Sequence, residues 1–198
     1  MSTTTTGRDA IGAISRLYLT RAVIALVWAG LLAVSLSSAG TLTADSDLPR
    51  LAVVLLILYP VLDVVASVLD ARTQQAAGAP GTVRAQLVNA GISAITTVAL
   101  IVAVTDGPAT VLRVFGVWAT LTGLIQLALA ITRRRRGLPG QVAMIVSGGL
   151  STLIGLMFFA QAAQDELMLT GVAGYAVGGA ILYLVSTVRL RRAKANPS

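Results

Sequence analysis

Residues 51–70 read LAVVLLILYPVLDVVASVLD. The run is apolar almost throughout, and a helix of about 20 such residues crosses a hydrocarbon layer of roughly 30 Å. It also carries Pro60, Asp63, Ser67 and Asp70, residues a lipid-facing surface does not take, so the helix must show one side to protein. Five further windows of comparable length and hydropathy flank it, at 18–38, 84–104, 109–131, 141–161 and 168–188. Between them lie short polar turns such as Asp45-Ser46-Asp47-Leu48-Pro49 and Asp106-Gly107-Pro108, built from helix-stopping residues. The whole chain is 56% hydrophobic and 12% charged, far below the roughly 25% charge of soluble domains. A fold this small leaves much of its surface outside any core, so lipid must solvate the excess. The reading is an all-α membrane protein with six transmembrane helices.

Charge placement orients the spans. Of the 15 basic residues, 13 fall on one side: Arg8, Arg16, Arg21, Arg72, Arg84, Arg133 to Arg136, Arg189, Arg191, Arg192 and Lys194. Only Arg50 and Arg113 remain for the other, which holds Asp45, Asp47, Asp106, Asp165 and Glu166. Basic residues stay in the cytoplasm, so both termini are expected there, in the inner (plasma) membrane. The net charge of +7 thus sits at membrane edges, where the arginine clusters meet anionic headgroups, and does not indicate nucleic acid. Residues 1–16 are expected as a disordered cytoplasmic tail, 17–192 as the membrane domain and 193–198 as a second tail. The first apolar run exceeds the usual 7–15 residues of a signal peptide, so the first span is expected to be retained.

The absence of Cys and His removes disulfides, thiolate chemistry and the commonest metal ligand and general base. No metal site, cofactor or nucleophile–base constellation is read from the remaining polar residues. The chain is therefore expected not to be an enzyme.

The spans group as three tandem two-helix hairpins, at 17–72, 84–136 and 140–192. Arg72, Arg133 and Arg189 close them at intervals of 61 and 56 residues, a spacing that suggests repetition. A two-span unit returns to its own side, so the three hairpins run parallel. Inverted repeats need an odd number of spans. A pseudo-threefold axis along the membrane normal and a linear row both satisfy this pattern.

Residues 116–130, GVWATLTGLIQLALA, ending at Arg133, resemble the second half of the repeat in the HdeD family of short-repeat membrane proteins linked to acid resistance. Gly107-Pro108 fits that repeat's outer turn, and residues 147–156, SGGLSTLIGL, resemble its first half. The likeness covers roughly 84–192 and is weaker over 17–72, where Asp63 stands near the place of Gly123. It implies a non-enzymatic protein assisting envelope or acid-stress tolerance, and brings no catalytic residues.

Asp63 lies 12 residues after Leu51, about 18 Å along a helix, past the midplane toward the cytoplasm. A carboxylate there is costly unless it faces the bundle or water. Tyr59, Asp63, Ser67 and Asp70 share one stripe, while Pro60 interrupts the backbone ladder one turn earlier. Arg21 stands at comparable depth on the first helix and is expected to pair with Asp63 or Asp70. Asn89 and Gln126 are expected to extend this polar cluster. The alternative is a small transporter or channel that uses Asp63. Small residues at close spacing (Ala25, Ala29 and Ala33; Ser147, Ser151 and Gly155; Gly174 and Gly178) and the glycines Gly30, Gly91 and Gly123 are expected to let helices approach. Packing within the bundle is the first reading of these; a homo-oligomer or a scaffold for partner membrane proteins is the second.

Overall fold

The computed structural model describes residues 3–76, 80–135, 137 and 141–195. Six helices follow the apolar windows: α1 (Thr3–Ser37), α2 (Arg50–Ala76), α3 (Pro80–Asp106), α4 (Pro108–Arg135), α5 (Gln141–Gln161) and α6 (Thr170–Ala195). Each contains a stretch long and apolar enough to cross a membrane, the shortest being Thr170–Val188 with 19 residues. Helix ends fall where local chemistry requires. Gly40 takes φ +69° beyond the end of α1, a conformation that costs glycine little. Gly107 takes φ +115° between α3 and α4, and Pro108 then opens α4 at a position where its missing N–H has no helical partner.

α1 begins well before the first span. Residues 3–16, expected as a disordered tail, are helical. Extending a formed helix adds a hydrogen bond for each residue fixed and needs no new nucleus. At the other end α6 runs on to Ala195, taking in the first half of the expected C-terminal tail; residues 196–198 lie outside the described ones.

The helices close into a ring. Each touches its neighbours in sequence, and α1 packs against α6, so the chain does not form a row. The two helices of every expected hairpin are in contact, yet the closest packing lies elsewhere: α2 with α3, α4 with α5, and α6 with α1. The tight pairs are therefore joined at the arginine-rich end, or by no loop at all in the case of α6 and α1.

The two halves of the ring are filled differently. Toward the acidic end the core is large and apolar, with Leu32, Leu56, Leu100, Leu112, Phe115 and Leu169 all at most 1% exposed. The first acidic loop lies over it. Leu167 donates its backbone N–H to the Leu42 carbonyl at 2.8 Å, and a Cβ on Gly107 would collide with the Ala44 carbonyl oxygen. Between the first and third of these loops is a cavity of about 270 Å³ lined by Leu36, Thr41, Leu42 and Glu166 to Thr170. Toward the arginine-rich end the buried side chains are small or polar: Ser15, Ala22, Ser67, Asp70, Ala90 and Thr187. The outward face is apolar, as at Ile95 (72% exposed) and Val34 (70%), and faces lipid in a bilayer.

A charged node inside the helix ring

Asp63 stands on the ring-facing side of α2, between Pro60 and Ser67, both fully buried. Its two oxygens receive donors from two other helices. Arg21 of α1 donates Nη2 to Oδ1 at 3.3 Å. From α3, Asn89 donates Nδ2 to Oδ2 at 2.7 Å and Ser93 donates Oγ to the same oxygen at 2.8 Å. Asn89 also donates to Ser67 Oγ at 3.0 Å. The carboxylate thus holds one ion pair and two neutral hydrogen bonds, which is how a charge at bilayer depth is tolerated.

The node reaches further than its carboxylate. Trp118 of α4 donates its indole N–H to Ser93 Oγ at 3.0 Å. The Arg21 guanidinium lies over the Tyr183 ring of α6, 5.0 Å from the centroid, within cation–π range, and Tyr18 packs against the same ring at 5.5 Å between centroids. Five helices meet here. About two turns toward the arginine-rich end, Gln86 donates to Asp70 Oδ2 at 2.7 Å. On the acidic side the node is bounded by an aromatic layer. Trp28 stacks on Tyr59, Tyr59 meets Trp118 edge-on, Trp118 meets Phe115 and Tyr175, and Tyr175 meets Phe158. Trp28 also donates its indole N–H to the Leu55 carbonyl at 2.7 Å, in the turn before Pro60.

Of the residues singled out from sequence, Arg21, Asp63 and Asn89 meet in the node, and Asp70 lies beside it. Gln126 does not join them. It donates to the Met144 carbonyl at 3.4 Å, because it lies one turn from Gly123 on the side of α4 that faces α5. Ser93, Gln86, Tyr18 and Tyr183 were not singled out. A signal for two of them existed, since Gln86, Asn89 and Ser93 recur at helical spacing on one face of α3. The tyrosines had none, because an aromatic residue near a span end reads equally well as an interfacial anchor.

The small residues divide in two. Gly116, Gly123, Gly148 and Gly155 are buried where α4 crosses α5, with Gly-x-x-x-Thr-x-x-Gly on both helices: Gly116, Thr120, Gly123 and Gly148, Thr152, Gly155. A Cβ on Gly123 would lie 2.6 Å from the Thr152 nitrogen and 2.8 Å from the Gly148 oxygen; on Gly155 it would lie 2.6 Å from the Thr120 nitrogen and 2.7 Å from the Gly116 oxygen. Antiparallel helices carrying the same motif meet reciprocally, backbone to backbone. Ser151 adds a hydrogen bond to the Ala119 carbonyl at 3.0 Å and another with Tyr175 Oη at 2.9 Å, while Ser147 is half-buried. Gly30, Gly91, Gly174 and Gly178 are instead exposed, with nothing within 4 Å of a Cβ at any of them, so they do not bring helices of this bundle together. On α6 the inward face belongs to Ala173, Ala176 and Ala180; four-residue spacing marks a stripe but not the side it faces.

Among the described residues no three Asp or Glu gather to hold a metal ion. Fold and node together define a six-helix bundle with the dimensions of an integral membrane protein and a charged interior. Searches for similar proteins returned no matching family model, no curated relative and no similar solved structure.

Proposed function

We propose that this chain is a non-enzymatic, HdeD-like protein of the inner membrane that assists envelope or acid-stress tolerance. The observation that supports the reading is the Arg21–Asp63 pair at 3.3 Å inside the apolar ring. A carboxylate that must be charged to hold its partner gives the bundle a part that responds to acid, since protonation removes the attraction. The arginine-rich end is the cytoplasmic one in this reading, and the clusters there rest on anionic lipid.

Deletion of the gene tests the stress role. The expected outcome is reduced survival and a lower cytoplasmic pH after acid challenge, restored by the wild-type chain and not by Asp63→Asn. Survival and pH indistinguishable from the parent strain would refute it. Orientation is tested separately: a cysteine placed at Gly137 in this cysteine-free chain should resist an impermeant reagent in intact cells and react in inverted vesicles.

A second reading is transport through the node. It is favoured by the residual 13% exposure of Arg21 and 23% of Asp63, which lie on inward faces. Altered solute uptake in the deletion strain, with normal acid survival, would favour it.

A further inference from the structure

The Arg21 guanidinium carries five N–H donors and spends one of them, on Asp63. Among the described residues the other four meet no acceptor, although the side chain is only 13% exposed. The neighbouring carboxylate, by contrast, already takes three donors, from Arg21, Asn89 and Ser93, on its roughly four acceptor sites. The unused capacity at this node is therefore for an anion. Arg21 shares the inward arc of α1 with Ala22 and Ala25, and Asp63 that of α2 with Pro60 and Ser67, so both side chains face the space inside the ring. Toward the acidic end that space ends at the aromatic layer and the leucine core. Toward the arginine-rich end the buried side chains are small or polar, among them Ala22, Ser67, Asp70, Ala71, Ala90 and Thr187.

We propose that Arg21, Asp63 and Tyr183 form a binding site for a small monocarboxylate, entered from the arginine-rich end and coupled to uptake of one proton. A carboxylate matches the planar fork of a guanidinium in two parallel hydrogen bonds, and the rings of Tyr18 and Tyr183 suit a short apolar body. Charge sets the coupling. Arg21 now balances Asp63; an incoming anion takes the guanidinium in its place, and Asp63 accepts a proton on the oxygen released. That acid O–H then donates to the bound carboxylate. The total charge is unchanged, and no unpaired charge is left at bilayer depth, where one is costly. The other ionisable groups facing the site are Tyr18 on α1, Asp70 and Tyr59 on α2, and Tyr175 and Tyr183 on α6; α3 and α4 present only the neutral Gln86, Asn89, Ser93 and Trp118. Asp70 keeps its own donor from Gln86 and discourages a doubly charged ligand.

The inference stands apart from the stress role and is tested on the purified full chain in zwitterionic nanodiscs, with propionate as the probe at matched ionic strength. Trp118, linked to Asp63 through Ser93, and Trp28 provide the fluorescence signal. Saturable quenching is expected, its apparent affinity rising about tenfold per pH unit of acidification when one proton is bound with each anion. Unbuffered titration should show one proton taken up per propionate. Arg21→Gln should abolish binding and Arg21→Lys weaken it. Asp63→Asn should bind without proton uptake and without the pH dependence, with thermal unfolding confirming that each variant is folded. Absence of saturation by the wild-type chain, affinity independent of pH, or undiminished binding by Arg21→Lys would each overturn the proposal.

Discussion

At the residue scale the structure turns on a single oxygen. Arg21 and Asp63 touch through Oδ1 alone, while Oδ2 is held by α3. Removing one member of such a pair leaves the other charged and unbalanced, which in a dry interior costs about 3–5 kcal/mol. The residual exposure of both side chains (13% and 23%) lowers the expected loss to about 1–3 kcal/mol, toward the weaker range of solvated pairs. Asp63→Asn and Arg21→Gln should each lower the melting temperature in detergent, and the double variant should regain part of the loss. Strictly additive losses would show that the contact contributes nothing. The carboxylate itself was legible from the sequence, since an Asp on the inward stripe of a span needs a donor. Its full donor set was not, because Ser93 reaches it only where α3 packs on α2, and Trp118 reaches Ser93 only where α4 packs on α3.

At the element scale the helices are held by two different chemistries. α2 and α3 join through side-chain hydrogen bonds, whereas α4 and α5 join through backbone approach at paired glycines. The second kind tolerates no added atom. Gly123→Ala or Gly155→Ala places a methyl group against backbone on the facing helix, and overpacking of this kind costs about 1–3 kcal/mol. Gly174→Ala and Gly178→Ala meet open space and remove a flexible helix interior residue, so stability should hold or rise by up to about 1 kcal/mol. Thermal unfolding of the four variants in one detergent separates the two groups. Equal losses at all four would refute the assignment of faces.

At the scale of the whole molecule the decisive contact is the one between α1 and α6, which no loop enforces. It places the N-terminal and C-terminal helices side by side and makes the ring continuous. A circular permutant that links α6 to α1 and opens the chain at residues 77–79 keeps all six helices in their original directions. It should insert, purify as a single species and melt within about 4 °C of the parent, the largest shift roughly 1 kcal/mol produces in a domain of this size. Aggregation of the permutant alongside a well-behaved parent would mean that α1 and α6 are weakly joined.

Hydropathy and charge by themselves determined the six helices, because their signal is carried by each run of about 20 residues independently of every other. The same residues marked Asp63 as facing inward, since lipid cannot solvate it. What surrounds Asp63, and which glycines lie between helices, depended on how the six cylinders are arranged. Periodicity along one helix defines a stripe without saying which neighbour it meets. Hence Gln126 points to α5 rather than to Asp63, Gly174 and Gly178 face outward while Gly123 and Gly155 do not, and the tightest pairs are α2 with α3, α4 with α5, and α6 with α1. Tertiary packing decided these points, because side chains from helices far apart in sequence compete there for the same interior space.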